Sequence, residues 1–227
     1  MEKIYQGKTK DVYQLESGDI RLKFKDSMTG KDGVFDPGEN AVGLEVAGSG
    51  QANLQLTQYF FEKMQAAGIA THYLATDLQG PTMDVRPVSI FGKGLEVICR
   101  FKAAGSFIKR YGDYIEFGQD LPAYVEISLK DDQRQDPFIS AEVLAILGIL
   151  SKEDYQEIRD LTIVAAKVVR DELAKHDLTL FDIKFEFGRD KETGQILLID
   201  EISGGNMRAF DANHQAVDPL DLAKVFA

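Results

Sequence analysis

The run at 178–208, LTLFDIKFEFGRDKETGQILLIDEISGGNMR, constrains the fold of this chain more than any other stretch. In its first half Phe181, Ile183, Phe185 and Phe187 alternate with Asp182, Lys184 and Glu186. Successive side chains of a strand point to opposite faces, so this half is expected to be a strand with one apolar face and one face of three charges. Gly188 and the polar residues 189–194 predict a turn, and residues 196–199 a returning strand that ends on Asp200-Glu201. Such a hairpin gathers carboxylates from two strands. Glu186 and Asp200, with Lys184 beside them, suit a hard divalent cation, because Mg2+ takes oxygen ligands, uses one or two carboxylates and fills its remaining positions with water and phosphate. A hairpin with one solvated face would show the same alternation. The apolar flanks argue for a central strand instead, where a charge has to be paired or liganded. Gly204-Gly205 is expected to admit a bulky group close to the backbone, with Arg208 just beyond.

Composition narrows the class. A chain of 227 residues with 44% hydrophobic and 28% charged content is expected to fold as one large domain or two small lobes. The net charge of −11 argues against a general binder of nucleic acid or of anionic membrane, since those partners need basic surface. The N-terminal MEKIYQGKTKDVYQL lacks a signal-peptide core, and no apolar run approaches the roughly 18 residues of a membrane span, so a cytoplasmic protein is expected. Cys99 is the single cysteine, and its apolar strand context predicts a packed, inert thiol. His72, His176 and His214 show no zinc-site spacing.

Along the chain, short strands are expected at 4–5, 12–15 and 20–24. The turn Gly7-Lys8-Thr9-Lys10 between the first two offers backbone N–H groups and two point charges to a phosphate, or is simply an exposed basic turn. Residues 27–50, with Asp36-Pro37-Gly38 and Gly48-Ser49-Gly50, read as a long loop. A helix is expected over 53–67, with Leu54, Leu56, Phe60, Phe61 and Met64 in its apolar stripe and Gly68 as its stop. Strands are expected at 69–78, 82–88 and 95–102, with Phe91-Gly92-Lys93-Gly94 as a hinge between lobes at 1–92 and 93–227. Arg100, Ser106, Lys109 and Arg110 then gather at a strand-to-helix junction that favours an anion, although Lys109 and Arg110 also suit a plain surface helix. A strand at 124–129 ends on Lys130-Asp131-Asp132, followed by Asp136-Pro137. Helices are expected at 140–147, from Ser151 to about 175, and from Asp218-Pro219 onward. There is no Ser-His-Asp order and no reactive-cysteine context, which favours phosphoryl-transfer chemistry, where alignment and charge do most of the catalysis.

Five segments, in this order along the chain, together resemble the SAICAR synthetases of purine biosynthesis: Gly7-Lys8-Thr9-Lys10; 100–110 with Ala103-Ala104-Gly105-Ser106; Leu129-Lys130-Asp131-Asp132 with Asp136-Pro137; Asp182-Ile183-Lys184-Phe185-Glu186-Phe187-Gly188; and Asp200-Glu201-Ile202-Ser203 with Arg208. The resemblance implies an α+β, two-lobed fold, with a mostly antiparallel N-terminal lobe, a larger α/β C-terminal lobe and ATP in a cleft like that of ATP-grasp enzymes and kinases. It implies an ATP-dependent ligase joining the carboxylate of carboxyaminoimidazole ribonucleotide (CAIR) to the amine of L-aspartate through an acyl phosphate, with ADP and phosphate released. Gly7, Lys8, Lys10, Lys184 and the Gly92 region would hold ATP, and Glu186 and Asp200 would hold Mg2+. Lys184, Lys130 and Asp182 would serve the chemistry. Arg100, Ser106, Arg208 and Lys109 would grip the ribonucleotide phosphate, and Asp136 would border its imidazole. Partners would be small molecules, with a homo-oligomer left open. A related carboxylate-amine ligase, a small-molecule kinase or a regulatory nucleotide-binding module would share much of this equipment. The chain departs from the family's usual Ser-Pro-Asp before the arginine, where Ser203 is followed by Gly204-Gly205-Asn206 with the spacing kept but the proline and acid lost, and in the loop at 32–51.

Overall fold

Phe181, Ile183, Phe185 and Phe187 are all buried, so the alternation marks a strand with one face in the core. The computed structural model describes residues 1–31, 34–35 and 42–226. The strands are β1 (Glu2–Gln6), β2 (Lys10–Gln14), β3 (Ile20–Phe24), β4 (Ser27–Lys31), β5 (Val34–Phe35), β6 (Val42–Glu45), β7 (Tyr73–Asp77), β8 (Thr82–Val85), β9 (Val88–Ile90), β10 (Leu95–Lys102), β11 (Asp120–Leu129), β12 (Thr179–Asp190), β13 (Ile196–Ile199) and β14 (Met207–Phe210). The helices are α1 (Ser49–Ala66), α2 (Ser106–Tyr111), α3 (Ala141–Ile146), α4 (Lys152–Ala174) and α5 (Pro219–Val225).

The architecture is α+β. One antiparallel sheet runs β1-β2-β3-β8-β7, and a second runs β11-β10-β12-β13, with β14 and β9 also paired to β12. Strand β12 is long enough to take partners along both edges, which makes it the axis of the second sheet. Its apolar face meets α4, whose buried Ile158, Ala165, Ala166, Val169 and Leu173 repeat at helical spacing. Ser151 caps that helix by accepting a hydrogen bond from the Asp154 N–H at 3.0 Å. The opposite face of β12 is left for Asp182, Lys184 and Glu186.

Helix α1 buries Leu54, Leu56, Phe60, Phe61 and Met64 completely. At about 1.5–3 kcal/mol per buried side chain these five supply on the order of 10 kcal/mol of gross burial energy, which fixes α1 against the first sheet. The helix starts at Ser49, four residues before the expected start, because Asp26 accepts from the Gly48 and Gly50 N–H groups at 3.0 and 2.9 Å and so caps the opening turn from outside the helix. The expected long loop at 27–50 is corrected in part. Strands β4 and β6 pair antiparallel there, with Ser27 opposite Glu45 and Met28 opposite Leu44; the Asp36-Pro37-Gly38 turn lies outside the described residues. Glycines interrupted the apolar pattern and hid these strands. Gly43 is required by packing, because a Cβ there would lie 2.4 Å from the Gly30 backbone across the ladder.

The Phe91–Gly94 turn follows β9, which is hydrogen-bonded to β12 through Ile90 opposite Gly188. Pairing to the second sheet therefore begins before residue 92. Among the described residues no helix is long and apolar enough to cross a membrane.

Candidate active site

The register of the second sheet lays a polar floor. Arg100 stands opposite Asp182, and Ile98 opposite both Lys184 and Glu126, so residues from three strands project from one face. Two cavities open above it. The first, of about 510 Å³, is lined by Gly7, Lys8 and Lys10 from the β1–β2 turn, by apolar Val12, Leu22 and Met28, and by Lys130, Lys184, Glu186 and Asp200. The second, of about 550 Å³, is lined by Arg100, Ser106, Lys109, Arg110, Glu126, Asp136, Asp182 and Arg208. Glu96, Asp132, Lys184 and Asn206 line both and form the wall between them.

Glu186 and Asp200 meet at the end of the β12–β13 hairpin, where Glu186 stands opposite Ile199. Burial, with the neighbouring Asp200 charge, pushes the Glu186 carboxyl above its ordinary range. Asp200 feels the same burial, but Lys10 and Lys130 outweigh it and hold its carboxyl down at about 2. Lysines occupy the space around both: Lys130 Nζ lies 2.6 Å from Glu186 Oε1, and Lys10 Nζ lies 3.0 Å from Asp200 Oδ1 and 2.7 Å from Glu201 Oε1. Asp200 also sits at φ +67°, a left-handed backbone that costs energy for a non-glycine residue and turns its carboxylate off the end of β13. Among the described residues no three His, Cys, Asp or Glu side chains cluster as metal ligands, but these two partly buried carboxylates, which repel one another and draw in ammonium groups, suit an ion that takes one or two carboxylates and fills its other positions with water and phosphate.

Lys184 donates to Glu96 at 2.7 Å. Burial works against its charge, but Glu96 and Glu186 outweigh it, so the lysine is held protonated at the wall between the cavities. Lys8 reaches across to Asp132 at 2.6 Å. Gly92 does not line the first cavity, whereas its neighbour Lys93 does. Asp136 lines the second cavity and accepts from the Asp131 N–H at 2.7 Å, which pins the turn at Gln135 and Asp136, both at positive φ.

Arg100 is 1% exposed and has Glu126, Asp182, Ser106 and the Ala104 carbonyl as partners. Arg100 thus lines the second cavity with its donors already engaged inside the protein, where it orients the groups around it. Ser106 Oγ accepts from Arg100 at 2.8 Å and keeps its own O–H to donate. Arg208 is held by both oxygens of Asp182 at 3.1 Å, over the Gly105 backbone.

The glycine pair divides its work: Gly205 lines the first cavity, whereas Gly204 faces the protein. Gly204 is needed for packing within the chain, because a Cβ there would lie 2.6 Å from Pro219 Cα at the start of α5. Residues 204–206 form a tight turn in which Asn206 accepts from the Ser203 N–H at 2.9 Å and donates to the Glu201 carbonyl at 2.6 Å. This clamp ties the Asp200 side of the site to the Arg208 side. Its signal in the sequence was the capping-box spacing of Ser203 and Asn206. Glu96 and Glu126 were missed as well, although a carboxylate inside Leu95-Glu96-Val97 or Val125-Glu126-Ile127 marks a charge that has to find a partner.

A family model for SAICAR synthetase matches residues 3–224. The chain belongs to that family. The phosphoribosylaminoimidazole-succinocarboxamide synthase of Clostridium tetani (strain Massachusetts / E88) is similar along its whole length, 53% identical over 225 residues and covering 99% of each chain. A SAICAR synthetase solved in complex with ADP aligns with a TM-score of 0.83 at 32% identity, over 94% of this chain and 87% of that one. The Ehrlichia chaffeensis phosphoribosylaminoimidazole-succinocarboxamide synthase aligns with a TM-score of 0.85 at 25% identity, over 96% and 89%.

Proposed function

We propose that the chain is the ATP-dependent ligase that condenses CAIR with L-aspartate to SAICAR, releasing ADP and phosphate. The adjoining cavities support this most strongly: one carries lysines and a carboxylate pair, the other carries arginines, and the two share a wall at Lys184. A reaction that moves a phosphoryl group from a nucleotide onto a carboxylate needs that layout, with donor and acceptor aligned across a charged partition.

In this reading the first lobe, 1–92, contributes Gly7, Lys8 and Lys10 to the ATP phosphates, with the purine against Val12, Leu22 and Met28, and the Gly92 turn at the mouth. The second lobe, 93–227, contributes the metal ligands and the acceptor site. Glu186 and Asp200 would hold Mg2+, which would supply charge neutralisation to the transferring phosphate. Lys184 and Lys130 neutralise charge on the phosphoryl group in transit. Asp182 orients Arg100 and Arg208, while Ser106, Arg208 and Lys109 hold the ribonucleotide phosphate and Asp136 borders the imidazole. Phosphorylation turns the CAIR carboxylate into an acyl phosphate, a good electrophile, and the aspartate amine then displaces phosphate to leave the amide. In this reading the protein works in the cytoplasm.

The test is ADP release by purified protein with ATP, Mg2+ and CAIR, with and without L-aspartate. The expected result is turnover that depends on both acceptor and amine, with SAICAR formed. ADP release indifferent to aspartate would point to a kinase, and nucleotide binding without release to a regulatory module.

A further inference from the structure

Arg110 belongs to the junction that the sequence marks as favouring an anion, but neither it nor Glu126 has a role in the reaction proposed above, although both line the arginine-rich cavity. Arg100 engages all five of its N–H donors inside the protein: Nε and Nη2 on Glu126, Nη1 on Asp182 and the Ala104 carbonyl, and Nη2 also on Ser106. It has no donor left for an incoming anion. Glu126 divides its two oxygens, taking Arg100 on Oε1 at 3.0 and 2.6 Å and Arg110 on Oε2. The Glu126 and Asp182 side chains are each 4% exposed, whereas Arg110 and Arg208, which they hold, are 33% and 21% exposed on the wall of the same cavity. The anions therefore lie underneath and the cations on top. Within this group three guanidinium charges face two carboxylates, which leaves a positive charge on the cavity side. Arg110 is further steadied over the Tyr111 ring at 5.3 Å.

We propose that Arg110 is a direct contact of the acceptor's phosphate monoester, and that Glu126 is the positioning residue that holds Arg110 in register with Ser106 and Arg208. A planar guanidinium, fixed through one edge by a carboxylate, presents its remaining donors to a dianion at little entropic cost. This inference rests on CAIR being the acceptor.

The experiment is steady-state kinetics of the full chain and of Arg110→Gln, Glu126→Gln and the double variant, varying CAIR at saturating ATP and aspartate, alongside thermal melts. Each single change is expected to raise the CAIR KM about tenfold or more, as loss of a charge-assisted hydrogen bond would, with kcat and the ATP KM nearly unchanged. The double variant is expected to be no worse than Glu126→Gln alone, which already releases Arg110 as well as Arg100, and Arg110→Lys should recover part of the loss. Losses that multiply, or kcat and melting point falling while the CAIR KM stays put, would overturn the proposal. Should Glu126→Gln fail to fold, the more exposed Arg110→Gln still decides: an unchanged CAIR KM rejects it. A wild-type protein that does not consume CAIR would reject the underlying functional reading, and this inference with it.

Discussion

Gly105→Ala is a one-carbon change whose effect can be worked out from two measurements. Gly105 sits at φ 54°, ψ −131°, a backbone region that an L side chain enters only at a cost of about 1–3 kcal/mol. The new Cβ would lie 2.7 Å from Arg208 Cζ and Nη1. Ordinary contact begins at 3.4 Å, so the guanidinium has to move by about 0.7 Å. An arginine tip moves easily, and the clash itself adds little to the folding cost. The same shift pulls Nη1 away from Asp182, to which it is bonded at 3.1 Å, and displaces the cation from the proposed phosphate site. With a strain of about 2 kcal/mol, a chain of this size should melt roughly 4–8 °C lower. Loss of a charge-assisted contact of about 1.5–3 kcal/mol should raise the CAIR KM by about 10- to 100-fold. The assay pairs a thermal melt with CAIR and ATP kinetics, and repeats both in an Arg208→Ala background. There the melting loss should persist, while the KM effect of the alanine vanishes. A variant with wild-type melting point and wild-type CAIR KM would refute the reasoning, as would equal rises in the KM of CAIR and ATP.

Glu186→Gln and Asp200→Asn should each lower kcat by about a thousandfold or more in the ADP-release assay while the far-UV spectrum keeps its native form, since several kcal/mol of charge neutralisation is lost without a change of shape. Arg208→Ala should raise the CAIR KM and leave the ATP KM alone, checked in the same assay. Cys99 is fully buried, and burial pushes its thiol up to about 12, so a disulfide reagent at pH 8 should label the protein only after unfolding. A raised folded-state value gives stability that is complete below the thiol's ordinary 9.0 and is lost as pH rises toward 12. Unfolding free energies from denaturant titration should therefore fall by about 1.4 kcal/mol per pH unit over that window, more steeply than in Cys99→Ala.

The sequence carried the site's chemistry better than its connections. Alternation at 181–187 was legible because the period-two pattern of a half-buried strand survives in a single chain, and the capped start of α4 was legible from Ser151. Strands β4 and β6 were not, because Gly30 and Gly43 approach one another across the ladder and erase the apolar pattern that marks a strand. The role of Arg100 shifted for another reason. An arginine in an apolar strand announces that it is paired, but whether with a ligand or with Glu126 and Asp182 depends on neighbours 26 and 82 residues away. Gly204 shows the same limit, since its packing partner Pro219 lies on α5 and no local pattern signals the contact.

The account stands on Glu186 and Asp200 sharing one divalent ion beside the nucleotide. Electron paramagnetic resonance of Mn2+ with ADP tests this most directly, comparing the wild type with Glu186→Gln and Asp200→Asn. The wild type should show a bound Mn2+ signal that strengthens with ADP, and each variant should bind the ion at least about tenfold more weakly, since loss of a ligand costs no less than loss of an outer-shell partner. Mn2+ affinity unchanged in both variants would contradict the account.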